Sequence, residues 1–228
     1  MKLTNIIVSE KKWNQNLIVT LKNQHKNVNW ILIDNKNDFK TTFLSTLKIN
    51  KIFVPHWSYF IPEDIYENYE CIVFHMTDLP YGRGGSPLQN LIARGHTETK
   101  ISAIRVVKEL DAGPIYLKND LSLIGTANEI FNKANGIIEV MISEIISNDL
   151  QPKEQEGQVV NFQRRKPEQG NMHTVGDVKK AYDYIRMLDA DGYPSAFLDT
   201  ATLKFEFTKA NYNTDKNTMT AHVRISKK

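Results

Sequence analysis

With 228 residues and a formal charge of +3, the chain has room for one large domain, or a main domain with a small appendage. So small an excess of positive charge does not by itself imply a nucleic-acid partner. Its 41% apolar and 24% charged residues are those of a soluble globular protein, and no run approaches the ~18 apolar residues a membrane-spanning helix requires.

The N-terminal stretch "MKLTNIIVSEKKWN" has too short an apolar segment for a signal peptide, so a cytoplasmic protein is expected. Four short runs rich in Ile and Val follow: "NIIV" (5–8), "WILID" (30–34), "KIFVP" (51–55) and "CIVFH" (71–75). Such runs suit strands buried on both faces of a parallel sheet. Between the first two, "NQNLIVTLKNQ" sets Leu17, Ile18 and Leu21 at helical spacing. The β-α-β rhythm predicts an open, Rossmann-like α/β sheet. The single cysteine, Cys71, excludes an internal disulfide and reads as a buried thiol.

The fourth run opens into "HMTDLPYGRGGSP", a loop rich in Gly and Pro. A helix is predicted after it, with Ser86 as cap, Pro87 in the first turn and Gly95 at the far end. Asp111 sits in a second polar turn, "LDAG", before the apolar run 115–117. In "GTANEIFNKANGIIEVMISEII", Thr126 and Glu129 have capping-box spacing, and Ile130, Ala134, Ile137, Met141 and Ile145 form a core stripe. The polar segment 147–158 reads as a linker. The expected division is a catalytic domain at 1–150 and a small α+β appendage at 151–228. The appendage holds an amphipathic helix near "DVKKAYDYIRML" and a strand pair from 203–213 and 219–225.

Ligand sites in open α/β sheets form at the carboxyl ends of the strands, where His75 stands. A histidine there can move protons, or it can simply pin the loop. Asp111, from another strand edge, can orient the imidazole and stabilise its protonated form, or merely start a turn. Arg83 and the N–H groups opening the next helix could attract a phosphate or carboxylate, or Arg83 could hold the loop through its carbonyls. The six histidines and the cysteine lack metal-ligand spacing, and neither phosphate-loop glycine pattern is present, so metal, NAD and ATP are not expected.

From residue 53 to about 117 the sequence resembles the formyltransferases that use 10-formyltetrahydrofolate. The loop supplies His75, Leu79, Pro80, Arg83, Gly84 and Pro87 in register with that family's pattern, and "LDAG" supplies Leu110, Asp111 and Gly113. The resemblance implies a formyltransferase fold, formyl transfer without a metal, and His75 as general base or electrostatic stabiliser oriented by Asp111. It places the folate co-substrate against Trp57, Tyr59, Phe60, Ile61, Leu110 and Asp111, with His56 beside them read as solvated. It places the acceptor near Thr77, Arg83, Gly84, Arg164 and Arg165. The family's asparagine two residues before the histidine is Val73 here, and loss of one such oxyanion donor typically costs ~10²–10³ in rate.

For the acceptor, "RRKPEQG" resembles a segment found after the catalytic domain in both methionyl-tRNA and sugar formyltransferases, and "YDYIRMLDADGYPSAF" resembles a passage of the short sugar-nucleotide members. They imply a UDP- or dTDP-linked 4-amino-4,6-dideoxyhexose and a place in surface-glycan biosynthesis, with nucleic acid disfavoured because the tail is short and mildly basic. The alternatives are formylation of methionyl-tRNA or of a carrier-bound aminoacyl group, and a folate- or nucleotide-binding protein impaired in catalysis. The β-rich tail suits a homodimer or packing within one chain equally.

Overall fold

The structure is a computed structural model describing residues 3–11 and 14–228; residues 1–2 and 12–13 of the N-terminal stretch read above lie outside the described residues. The first half runs β1 (Thr4–Val8), α1 (Gln15–Gln24), β2 (Asn29–Ile33), α2 (Thr41–Leu44), β3 (Ile49–Val54), α3 (Glu63–Tyr66), β4 (Cys71–His75), β5 (Tyr81–Gly84) and α4 (Pro87–Ala93). It continues with β6 (Glu98–Arg105), β7 (Ile115–Ser122), α5 (Ala127–Ser147) and β8 (Val160–Phe162). The C-terminal part adds α6 (Val178–Arg186), β9 (Ala196–Asp199), β10 (Leu203–Asn213) and β11 (Thr218–Lys227).

The main sheet has the order β2-β1-β3-β4-β6-β7. Strands β1 to β4 pair in parallel, and β6 joins β4 antiparallel with His75 opposite Ser102. Because β1 is flanked by β2 and β3, the connections diverge there, and a crevice is expected at the carboxyl ends. This is the α/β open sheet read from the sequence, accompanied by a distinct C-terminal α+β region in which β9, β10 and β11 form an antiparallel sheet.

Alternate residues of the parallel strands point to opposite faces. One face buries Ile6, Val8, Ile33, Ile52, Val54 and Cys71 with Phe39 and Leu44, and Trp57, Ile61 and Val73 pack against the same cluster. Burial pushes the Cys71 thiol up to about 12, so it behaves as a small core hydrophobe at neutral pH. In α5 the stripe holds: Ile130, Ala134, Met141 and Ile145 are buried, with Ile138 and Ile142 added, while Ile137 is half-buried. Its capping box also forms, Thr126 N–H donating to Glu129 Oε2 at 2.8 Å and Glu129 N–H to Thr126 Oγ1 at 3.3 Å. Ser86 differs from expectation. It is left-handed (φ 52°), and its hydroxyl accepts the Arg165 N–H at 3.1 Å instead of capping α4.

Contacts divide the chain into two compact units, one of residues 1–83, 100–121 and 132–161, the other of 84–99, 122–131 and 162–228. In the first, Lys51 Nζ lies 2.5 Å from Glu70 Oε1, and the Tyr116 hydroxyl donates to the same oxygen at 2.7 Å. Burial works to raise the Glu70 carboxyl, but the bonds from Lys51 and Tyr116 and the charges of Lys51 and Arg105 outweigh it and hold it below its ordinary value. A value depressed by folding adds stability above the unfolded value, and that stability is lost as pH falls through the folded one. Glu70→Gln is therefore expected to destabilise the protein by about 1–3 kcal/mol at neutral pH. Urea melts in a pH series should show the gap closing as both forms are taken below the carboxylate range.

Among the described residues, no helix is long and apolar enough to cross a membrane, and no group of three or more His, Cys, Asp or Glu converges as a metal site.

Candidate active site

The carboxyl end of β4 brings His75 to the edge of the first unit's sheet, where its side chain is 9% exposed. Its Nε2 lies 2.7 Å from the Gly82 carbonyl. A carbonyl can only accept, so Nε2 carries the proton and donates it. The other ring nitrogen, Nδ1, faces Asp111 Oδ2 at 3.6 Å, and that side chain is 12% exposed. The separation is beyond hydrogen-bond length but within ion-pair range once the ring is a cation. The arrangement offers a basic nitrogen backed by a carboxylate that stabilises the charge gained on protonation.

Three anchors shape the loop after His75. Ser102, fully buried on β6, donates to the Thr77 carbonyl at 2.8 Å and accepts the Leu79 N–H at 3.3 Å. Thr77 is itself fully buried, and its hydroxyl donates to the Gly82 carbonyl at 3.4 Å. Asp78, the acid beside the histidine, is paired with Lys118 Nζ at 2.6 Å. Val73 lies on the same face of β4 as His75, in register with Val54 and Ile104, and offers no donor.

Arg83 turns to Gln155, donating from Nε and Nη2 to Gln155 Oε1 at 3.1 and 2.8 Å. Gln155 Nε2 then donates to the Asp111 and Gly113 carbonyls, both at 2.8 Å. Sequence reading missed Gln155, because the polar segment 147–158 carries no periodicity. That segment is pinned to β7 as well, Lys153 and Ile115 exchanging backbone bonds of 2.7 and 2.9 Å.

The expected folate residues lie in two loops of the same unit. Trp57 is half-buried, meeting Phe39 edge-on at 6.1 Å and Tyr59 at 5.1 Å. Its Nε1–H is buried with no acceptor among the described residues. Ile61 packs with Trp57 on the core cluster, whereas Phe60 is 82% and Leu110 55% exposed. An indole donor awaiting an acceptor and uncovered apolar side chains fit a flat ring with a polar edge. His56 is half-buried with its ring nitrogens shut from solvent, not solvated as expected. Burial and then the Lys11 charge push it down to about 4, so it is neutral at pH 7.

Gly84, Arg164 and Arg165 belong to the second unit. Gly84 has φ +107°, and a Cβ there would stand 2.4 Å from the Phe162 carbonyl oxygen, so the close approach needs glycine. Arg164 is exposed, and its Cβ lies against Gly85. Arg165 donates to the Gln169 carbonyl at 2.9 Å, and its guanidinium stands 5.4 Å from the Tyr184 ring centre.

One family model matches, the methionyl-tRNA formyltransferase C-terminal domain, over residues 167–226. A solved methionyl-tRNA formyltransferase from Clostridium thermocellum is 44% identical, with a TM-score of 0.95, covering 99% of this chain and 100% of that one. The methionyl-tRNA formyltransferase of Rickettsia felis is 26% identical over 85% of this chain, which spans 65% of that protein's length. HypX from Aquifex aeolicus, solved in complex with tetrahydrofolic acid, has a TM-score of 0.75 at 17% identity, covering 93% of this chain and 38% of that one. At that identity the likeness shows the fold alone.

These likenesses correct the expected acceptor. The sugar-nucleotide reading, with its surface-glycan role and its exclusion of nucleic acid, is overturned by a whole-length likeness to a protein named for tRNA. Within the segment 182–197 that carried the sugar reading, two residues serve as scaffold. Arg186 is buried, donating to Asp183 and to the Leu123 and Gly125 carbonyls, and Ala196 is buried opposite Phe207. A whole-chain charge, moreover, does not say where cations stand.

Proposed function

Because the chain belongs to the methionyl-tRNA formyltransferase family, we propose that it moves the formyl group of 10-formyltetrahydrofolate to the amine of methionyl-tRNA. The pairing of His75 with Asp111 at the carboxyl edge of β4 carries this reading. The co-substrate supplies the formyl carbon, at which the methionyl nitrogen replaces N10.

In this reading Gly82 fixes the His75 tautomer, so Nδ1 is the nitrogen that takes the proton lost by the attacking amine. Asp111 stabilises the resulting imidazolium, which returns the proton to the departing N10. With Val73 supplying no donor, the negative charge growing on the formyl oxygen is offset electrostatically by that same cation. Trp57, Ile61 and Leu110 hold the folate ring. The region from 151 onward, including Arg164 and Arg165, contributes phosphate contacts to the acceptor.

The test is formylation of charged initiator tRNA by the full chain with 10-formyltetrahydrofolate, at several salt concentrations. Counterion release gives log kcat/KM a linear fall with log salt, and two phosphate contacts already imply about tenfold between 50 and 200 mM. Co-substrate binding without transfer, or transfer to a small amine with no salt dependence, would overturn the reading.

A further inference from the structure

We propose that Gln155 is the positioning residue that sets Asp111 against His75, an inference that rests on the formyl-transfer reading of their site. The contacts around the histidine close into a ring. His75 Nε2–H donates to the Gly82 carbonyl, and the next residue, Arg83, sends two donors to Gln155 Oε1. Gln155 Nε2 holds the Asp111 and Gly113 carbonyls, and the Asp111 carboxylate returns to His75 Nδ1. Both imidazole nitrogens thus meet partners whose loops are joined through one side chain.

The chemistry of the amide explains why glutamine suits this place. An amide end offers one accepting oxygen and one nitrogen with two hydrogens, and all of that capacity is used. The Asp111 backbone is left-handed (φ 54°), which aspartate tolerates better than most side chains, so bonds to the turn's carbonyls are what fix its place. Two carbonyls of the Asp111–Gly113 turn point at the same donor group, so losing it releases the turn that carries the carboxylate.

Three substitutions separate this role from others. Gln155→Glu keeps the acceptor for Arg83 but turns an anion on two carbonyls. Gln155→Met keeps length and loses both functions, and Gln155→Ala removes the side chain. If Gln155 mattered only as an acceptor for Arg83, Glu would preserve activity. If it positions Asp111, Glu and Met both fail.

The expected result is a fall in kcat of about 10²-fold in Glu and Met variants, as for a group displaced by about an ångström, with KM for both substrates unchanged. In ¹⁵N-histidine protein the His75 Nδ1 resonance, assigned by its absence in His75→Ala, should move in both variants. Melting curves identify any variant that fails to fold, and the near-isosteric Glu then decides. A Gln155→Glu variant with wild-type kcat and an unmoved Nδ1 resonance overturns the proposal. The resonance reads the position of Asp111 whether or not methionyl-tRNA is the acceptor, so failure of the functional reading shows separately, as a wild-type protein without transfer.

Discussion

His75→Ala is expected to lower kcat for formyl transfer by about 10²–10⁴-fold, the usual contribution of a positioned proton-transfer group. The protein should stay folded. The Gly82 carbonyl that loses the imidazole donor keeps the Thr77 hydroxyl, so the stability cost is about 1 kcal/mol. Asp111→Asn preserves size and removes the charge that stabilises the imidazolium, and should act on kcat in the same direction. Because the two act as one unit, the double variant should be little slower than His75→Ala alone. Single-turnover formylation with thermal melts decides. A His75→Ala protein that keeps its rate but melts early would make the histidine a loop pin and nothing more.

The parts of this molecule legible in the sequence are those whose partners are uniform. Strands β1 to β4 are apolar on both faces, so short runs of Ile and Val mark them without knowledge of register, and "CIVFH" matches β4 residue for residue. The helix α5 declared itself through a local capping box and a one-sided stripe. Strand β6 did not, since "ETKISAIR" begins polar and becomes a strand by pairing antiparallel with β4. The short β5 and β8 exist only as each other's partners.

The site divides in the same way. His75 and Asp111 were visible from a motif and its spacing, and Val73 from a departure within it. Gln155 was hidden because an amide's bonding depends on groups 72 and 44 positions away, not on its neighbours in sequence. Ser86 shows the opposite error. Its residue type predicts a cap, and only the backbone twist that turns the hydroxyl toward Arg165 says otherwise.

The second large effect is expected at Gly113, two residues past Asp111. A Cβ there would stand 1.8 Å from the Arg105 carbonyl oxygen and 2.9 Å from its carbon. The obstacle is backbone, so no rotamer relieves it. The same backbone is tied from both sides, Arg105 N–H donating to the Pro114 carbonyl at 2.9 Å and Val106 N–H to the Cys71 carbonyl at 2.8 Å. Gly113→Ala must therefore displace the 106–114 turn and carry Asp111 away from His75. Overpacking of this kind costs about 3 kcal/mol, which in a chain of this length lowers Tm by about 6–12 °C. A displaced carboxylate adds a fall in kcat of about 10²-fold. Gly136, on α5 with open space where its Cβ would go, supplies the contrast. Alanine there should raise stability by about 0.5–1 kcal/mol, because the helix no longer orders a glycine, and should leave kcat alone. Calorimetry and steady-state rates on the two variants give opposite signs if the turn at Gly113 holds the carboxylate, and a Gly113→Ala protein as stable and fast as the wild type would show that it does not.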